Sequence, residues 1–324
     1  MREGLLRWIK IVLGILGTHR KEEAPAYQTV RQTQRKKVSI NGTMENKTFV
    51  TQVLLPSYTR RLKPEPDATS SEIKQRPDHT TVEPLLLAWQ GMTDTGKVRS
   101  QNEDNFSCLV LANETLFVVA DGMGGHDAGE IASKIAVDMV CRQVRECAGQ
   151  NQDPVSLLKY AVQMANDAVR QEGRIRGSNM GTTLSVALVI DSIAYIANVG
   201  DSRVYWIENG SITQITEDHS LVGKLVAAGK LTREEARKHP QSNLLYRTVG
   251  TDDSITVDTF RVELKRGGSL LLCTDGLWGE VAEENIHHVF VMEKDIRKAC
   301  AQLMQMANDN GGLDNITAVV AQVA

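Results

Sequence analysis

Two short runs in this 324-residue chain are apolar at every position, and each leads into an aspartate. Val118-Val119-Ala120 runs into Asp121-Gly122, and Leu270-Leu271-Leu272-Cys273 runs through Thr274 into Asp275-Gly276. A strand with one face in water alternates apolar and polar side chains. A run with no polar position reads as a strand covered on both faces. Two such strands call for a layered fold, with apolar material above and below each sheet. They also carry a carboxylate to the end of a buried strand twice, which is more than turn preference explains, although Asp-Gly is ordinary turn chemistry.

Two further acidic clusters stand far away in sequence, Asn102-Glu103-Asp104-Asn105 and Leu313-Asp314-Asn315-Ile316-Thr317. Carboxylates gathered at strand ends repel one another and lose hydration, so a fold that collects them usually brings cations to neutralise them. No His or Cys pair accompanies these clusters. An oxygen-only donor set suits a hard ion, Mg²⁺ or Mn²⁺, rather than Zn²⁺.

The remaining sequence divides the chain into three parts. Residues 1–18 carry Leu5, Leu6, Trp8, Ile9, Val12, Leu13, Ile15 and Leu16, punctuated by Arg2, Arg7 and Lys10. The unbroken apolar stretch is shorter than the roughly 20 residues that span a bilayer, and no small-residue cleavage site follows it. Two readings stand open for it: an amphipathic helix on a membrane surface, or a helix docked on a protein. Residues 19–84 are polar and contain Pro25, Pro56, Pro64, Pro66 and Pro77, the composition of a disordered linker. Within them Val53-Leu54-Leu55 is a small apolar island. Residues 85–324 have the density of strand and helix signals of a folded domain. A net charge of −3 argues against a nucleic-acid partner. Five cysteines without Cys-x-x-Cys spacing read as reduced thiols in a cytoplasmic setting.

Strand-like runs fall at 116–120, 183–190, 193–198, 203–207, 211–215, 255–262, 269–274 and 316–323. Asn209-Gly210 signals a two-residue hairpin between two of them. Helical spacing marks 128–147, a second helix capped by Asp153-Pro154 and ended by Gly173, and a third near 294–308. Thr232-Arg-Glu-Glu235 forms a capping box for a short helix. Strand-rich blocks with paired helices between them predict an α+β fold of two antiparallel sheets between helix layers.

These residues also resemble a known family. The segments Arg99-Ser100-Gln101-Asn102-Glu103-Asp104-Asn105, Val119-Ala120-Asp121-Gly122-Met123-Gly124-Gly125-His126, Met180-Gly181-Thr182-Thr183, Asn198-Val199-Gly200-Asp201-Ser202-Arg203, Asp218-His219-Ser220-Leu221, Thr274-Asp275-Gly276-Leu277 and Asp314-Asn315-Ile316-Thr317 follow the order of motifs in the metal-dependent protein phosphatases of type 2C, specifically the bacterial serine/threonine branch. The resemblance runs from about Trp89 to the C-terminus. It implies a four-layer α-β-β-α sandwich and hydrolysis of phosphoserine and phosphothreonine by a water bridging two divalent cations, Mn²⁺ or Mg²⁺.

By that resemblance Asp121 touches both ions and the Gly122 carbonyl adds a backbone ligand. Asp275 and Asp314 complete one shell, and Glu103 and Asp104 sit on the other side. Arg99 binds the substrate phosphate, a task for which a guanidinium fork is shaped. The general acid is open. Met123 stands where eukaryotic members carry a His, so a metal-bound water is the favoured donor, with His126, His219 and His239 as alternatives and both His219 and His239 read as structural. Asp201 reads as a structural turn residue, and 220–253 resembles the family's mobile flap. Two departures are visible, because Ser178 and Gly279 stand where many relatives place the aspartates of a third ion. Two ions are therefore expected. The expected partners are phosphoproteins, a serine/threonine kinase and its substrates, with the chain itself a cytoplasmic monomer that contacts membrane, if at all, through 1–18. A catalytically weak phosphoprotein-binding module is the alternative reading, and intact Arg99, Asp121, Asp275 and Asp314 argue against it. A two-metal phosphodiesterase or nuclease is a second alternative, disfavoured by the charge.

Overall fold

The central strand shows why an uninterrupted apolar run was needed. Strand β4 (Glu114–Gly124) buries Leu116 through Ala120 completely. Leu116, Val118 and Ala120 face one way, into a core shared with helices α1 (Ala128–Cys147) and α2 (Pro154–Arg176). Phe117 and Val119 face the other way, into a second core between two sheets. Side chains alternate across a strand, so covering both faces requires both parities to be apolar. Strand β11 (Ser269–Cys273) repeats the arrangement: Leu270 and Leu272 enter the same inter-sheet core, while Leu271 and Cys273 meet a third core. That third core holds helices α5 (Asp275–Trp278), α6 (Glu283–Met292) and α7 (Ile296–Asp309). Three stacked apolar layers separate four structural layers, in the order helix, sheet, sheet, helix.

The chain is described here from a computed structural model, which covers residues 49–54, 86–111, 113–125, 128–150 and 152–324. One sheet runs β1-β2-β12-β11-β8-β9, built from β1 (Phe49–Leu54), β2 (Leu86–Asp94), β12 (Ile316–Val323), β11, β8 (Arg203–Glu208) and β9 (Ser211–Gln214). The other runs β10-β7-β6-β4-β3, from β10 (Asp258–Glu263), β7 (Ile193–Val199), β6 (Leu184–Ile190), β4 and β3 (Asp104–Val110). A three-residue strand, β5 (Met180–Thr182), pairs with the far end of β4. Every pairing among the described strands is antiparallel. The two short helices α3 (Leu221–Ala227) and α4 (Arg233–Arg237) lie between β9 and β10.

Local signals explain most boundaries. Asn209 and Gly210 both take positive φ, 48° and 75°, which gives the tight hairpin between β8 and β9. Asp153 caps α2 by accepting the Ser156 N–H at 2.8 Å, with Pro154 behind it. Thr232 and Glu235 form the reciprocal capping box of α4. Helix α2 does not end at Gly173, as its spacing suggested. Gly173 is buried within the helix, where a Cβ would lie 2.9 Å from the Ser178 carbonyl oxygen. The chain turns instead at Gly177, in the left-handed region at φ 64°.

A second difference concerns the stretch 19–84, read as a linker. Phe49–Leu54 forms β1, in register against β2 from Leu86 to Gly91. It covers a strand edge that would otherwise present unpaired N–H and C=O groups, and it takes in part of the apolar island at Val53-Leu54-Leu55. The readings made for 1–18 and for the rest of 19–84 lie outside the described residues. Among the described residues no helix is long and apolar enough to cross a membrane.

Candidate active site

The carboxylates meet at one end of the inter-sheet core. Asp104 opens β3 directly opposite Asp121 on β4, so one sheet contributes two acids side by side. The other sheet contributes Asp275, just past β11, and Asp314, just before β12, two neighbouring strands. The two sheets are joined there through hydroxyls. Asp104 Oδ2 accepts from Thr274 Oγ1 at 2.8 Å and from Thr317 Oγ1 at 2.7 Å, both on the opposite sheet. Thr274 Oγ1 in turn accepts the Thr317 N–H at 3.0 Å.

Asn315 fixes the loops around this cluster. Its Oδ1 accepts the Glu103 N–H at 2.8 Å, and its Nδ2 donates to the Thr95 and Gln101 carbonyls at 2.9 and 2.8 Å. Gly122 lies against the start of α1. A Cβ there would run into the Gly129 carbonyl and stand 2.7 Å from the Glu103 carbonyl. Gly129 makes matching room, since a Cβ on it would stand 2.6 Å from Glu103 Cδ. Two glycines thus let the Gly122 backbone and the Glu103 carboxyl approach each other. Arg99 sits half exposed at the rim, its Nη2 donating to Asp314 Oδ2 at 2.7 Å.

Electrostatically the cluster is strained toward protonation. Burial drives Asp121 well above the usual carboxylate range, and the charges of Asp275 and Asp104 add to it. Burial does the same to Asp104, opposed by its two threonine hydroxyls. Asp275 is pushed up to about 6 by burial and then by Asp314. Glu103 is raised by burial, with Arg99 pulling the other way. Asp201 is also buried and raised, first by burial and then by Asp275, so it belongs to the same field although its sequence context suggested only a turn.

The donor set fits a hard divalent cation. Asp104 Oδ1 and Asp275 Oδ1 are buried and have no hydrogen-bond partner, a costly state for an anionic oxygen that a cation relieves. All the candidate donors are oxygens. As the side chains stand, no three of His, Cys, Asp and Glu among the described residues converge as a cage: Asp314 is held by Arg99 and one oxygen of Asp104 by the threonines.

The histidines separate cleanly. His219 is buried, with Nδ1 accepting the Gly200 N–H at 3.0 Å and Nε2 within 3.0 Å of both Asp258 and Arg247, so both nitrogens are committed to structure. His239 Nδ1 accepts the Gln241 N–H in a local turn. His126 lies outside the described residues. The structure thus brings Glu103, Asp104, Asp121, Gly122, Asp275, Asp314 and Arg99 to one end of the sandwich. The roles of Thr274, Thr317, Asn315 and Gly129 went unassigned at the level of sequence. A hydroxyl at the end of an apolar run was the available signal for Thr274.

Comparison with known proteins agrees with this geometry. Residues 96–321 match the family model described as protein phosphatase 2C. The serine/threonine phosphatase stp of Listeria welshimeri is 36% identical over 235 residues, 71% of this chain and 93% of that protein. The protein phosphatase PhpP of Streptococcus pneumoniae is 37% identical over 72% of this chain and 96% of its own length. Among solved structures, the catalytic domain of the phosphatase PstP in complex with two manganese ions superposes with a TM-score of 0.67 at 32% identity, covering 74% of this chain and 99% of that one. The chain belongs to the protein phosphatase 2C family.

Proposed function

We infer that this chain is a metal-dependent protein serine/threonine phosphatase that hydrolyses phosphomonoesters at the carboxylate cluster. The observation that carries the reading is the meeting of acids from both sheets, with one buried, partnerless oxygen on each of Asp104 and Asp275, beside an exposed arginine. Asp121, the Gly122 carbonyl, Glu103, Asp104, Asp275 and Asp314 would hold two Mn²⁺ or Mg²⁺ ions, which supply charge neutralisation of the phosphoryl oxygens and a water of lowered pKa.

The chain's own residues do the rest. Arg99, half exposed and already paired with a carboxylate, can exchange that partner for phosphate oxygens, which match its fork equally well. Asn315 ties the Arg99 loop to the Asp314 loop, so phosphate binder and acids hold one geometry. Thr274 and Thr317 hold one oxygen of Asp104 and leave the other free. Each engaged on one or both ring nitrogens, His219 and His239 are poor proton donors for the leaving group, which favours a water in that role. Ser178 and Gly279 offer no carboxylate for a third ion, which supports a two-ion centre. The substrates are phosphoserine and phosphothreonine proteins, among them those of a partner kinase.

A chelator-treated sample assayed with an aryl phosphomonoester, a phosphothreonine peptide and an aryl phosphodiester tests the reading. Mn²⁺ should restore turnover of both monoesters and leave the diester unhydrolysed. Comparable diester turnover would make the centre a phosphodiesterase, and no turnover of any substrate would make it a binding module.

A further inference from the structure

The two residues that pair at the proposed phosphate seat, Arg99 and Asp314, are each preceded in the chain by a bare apolar side chain. Val98, next to Arg99, is 64% exposed, and Leu313, next to Asp314, is 60% exposed. The residues between them are in contact, through the 2.7 Å pair of Arg99 and Asp314. Single exposed hydrophobes are common and need no explanation. These two differ in being held out from loops that are locked.

The locking is dense. The Lys97 N–H donates to the Gly312 carbonyl at 2.8 Å, and the Gly312 N–H donates to the Ala307 carbonyl of α7 at 3.0 Å. Asp94 Oδ1 accepts the Gly96 N–H at 2.9 Å, while Asn315 grips the carbonyls at 95 and 101. Gly96 and Gly312 take positive φ, 79° and 55°. A Cβ on Gly96 would stand 2.8 Å from the Gly312 carbonyl, so the two loops touch backbone to backbone. A backbone held in such a frame loses little further entropy when the side chains it presents are covered, which favours an effective contact.

What covers them follows from the chemistry of the site. A phosphoresidue whose phosphate lies on Arg99 carries its neighbours about 3.8 Å away along the chain. Neighbours at that spacing fall within reach of side chains that stand one residue from Arg99 and from Asp314. We propose that Val98 and Leu313 form a specificity surface that selects phosphoserine or phosphothreonine with an apolar residue beside it, over the same residue in a polar context. The inference rests on the phosphatase reading above and names the peptide chemistry that this site prefers.

The test uses the full chain with Mn²⁺ and three substrates: an aryl phosphate, a phosphothreonine peptide flanked on both sides by Leu, and the same peptide flanked by Ser. Wild type should favour the Leu peptide by about tenfold in kcat/KM, carried by KM, as burial of a few methylenes allows. Val98→Ser with Leu313→Ser should cut that preference to about twofold or less. The aryl phosphate's kcat/KM and the melting temperature should stay near wild type, showing an intact fold and site. Equal use of both peptides by wild type, or a preference that survives the double substitution, overturns the proposal while the phosphatase reading stands. Failure of wild type on all three substrates overturns both.

Discussion

Substituting Asp275 by Asn in metal-free protein should make the fold more stable and the enzyme inactive. Asp275 is partly buried, with its Oδ1 shut off from solvent and without a partner, and burial and Asp314 push its pKa up from 3.8 to about 6. Each pKa unit is about 1.4 kcal/mol, so holding this carboxylate ionised in the fold costs about 3 kcal/mol at pH 8. Asn keeps the shape and removes the charge. A raised folded-state pKa means that the cost is present above pH 6 and disappears as pH falls toward 3.8, where folded and unfolded chains both bind the proton. In chelator at pH 8 the variant should therefore melt roughly 6–12 °C above wild type, at about 2–4 °C per kcal/mol for a domain of this size. The gap should close between pH 6 and pH 4. Adding Mn²⁺ should reverse the order, because only wild type gains full binding free energy from the ions. Calorimetric scans at pH 4, 6 and 8, with and without Mn²⁺, measure all of this. A variant that melts at or below wild type in chelator at pH 8, or a gap that is the same at pH 4, would refute the reasoning.

The close packing around Gly122 predicts that Gly122→Ala lowers stability by roughly 2–4 kcal/mol and activity at least 100-fold, since the added methyl meets backbone on two sides; denaturant titration and an aryl phosphate assay read both. Burial holds His219 below its usual pKa, so its neutral-ring contribution is whole above pH 6.5 and is lost as pH falls below that value. His219→Gln should cost about 1–3 kcal/mol at pH 8 and show a smaller further loss from pH 6.5 to about pH 5 than wild type, by urea unfolding. Arg99→Ala should reduce kcat/KM on an aryl phosphate by roughly 100- to 1000-fold, while the Mn²⁺ dependence of melting remains.

Much of this fold was legible because its signals are local. The two apolar runs specified strands buried on both faces, and β4 and β11 are buried in that way. Asp153-Pro154 and Asn209-Gly210 act through neighbouring backbone, so they read directly as a cap and a turn. Strands β2 and β3 were harder, since Gln90, Gly91 and Thr93 interrupt one and Asn105 and Ser107 the other. Gly173 misled because a glycine in a helix can end it or make room for a neighbour, and only the packing against residue 178 decides which. The acids could be picked out by type and strand position. Their neighbours could not, because the grip of Thr274 on Asp104 joins residues 170 apart and that of Asn315 on Thr95 joins residues 220 apart. The first contact exists only once the two sheets have stacked, and the second only once β2 has paired with β12.

The most direct test is a Mn²⁺ titration of chelator-treated protein, following bound ions by calorimetry and phosphothreonine-peptide turnover in the same samples, for wild type and Asp121→Asn. Wild type should bind two ions per chain, with turnover rising as the second is taken up. Asp121→Asn should lose tight binding of both ions and all measurable turnover. Turnover that persists in excess chelator, or an Asp121→Asn variant that keeps near-wild-type activity in Mn²⁺, would contradict a two-ion centre built on this aspartate.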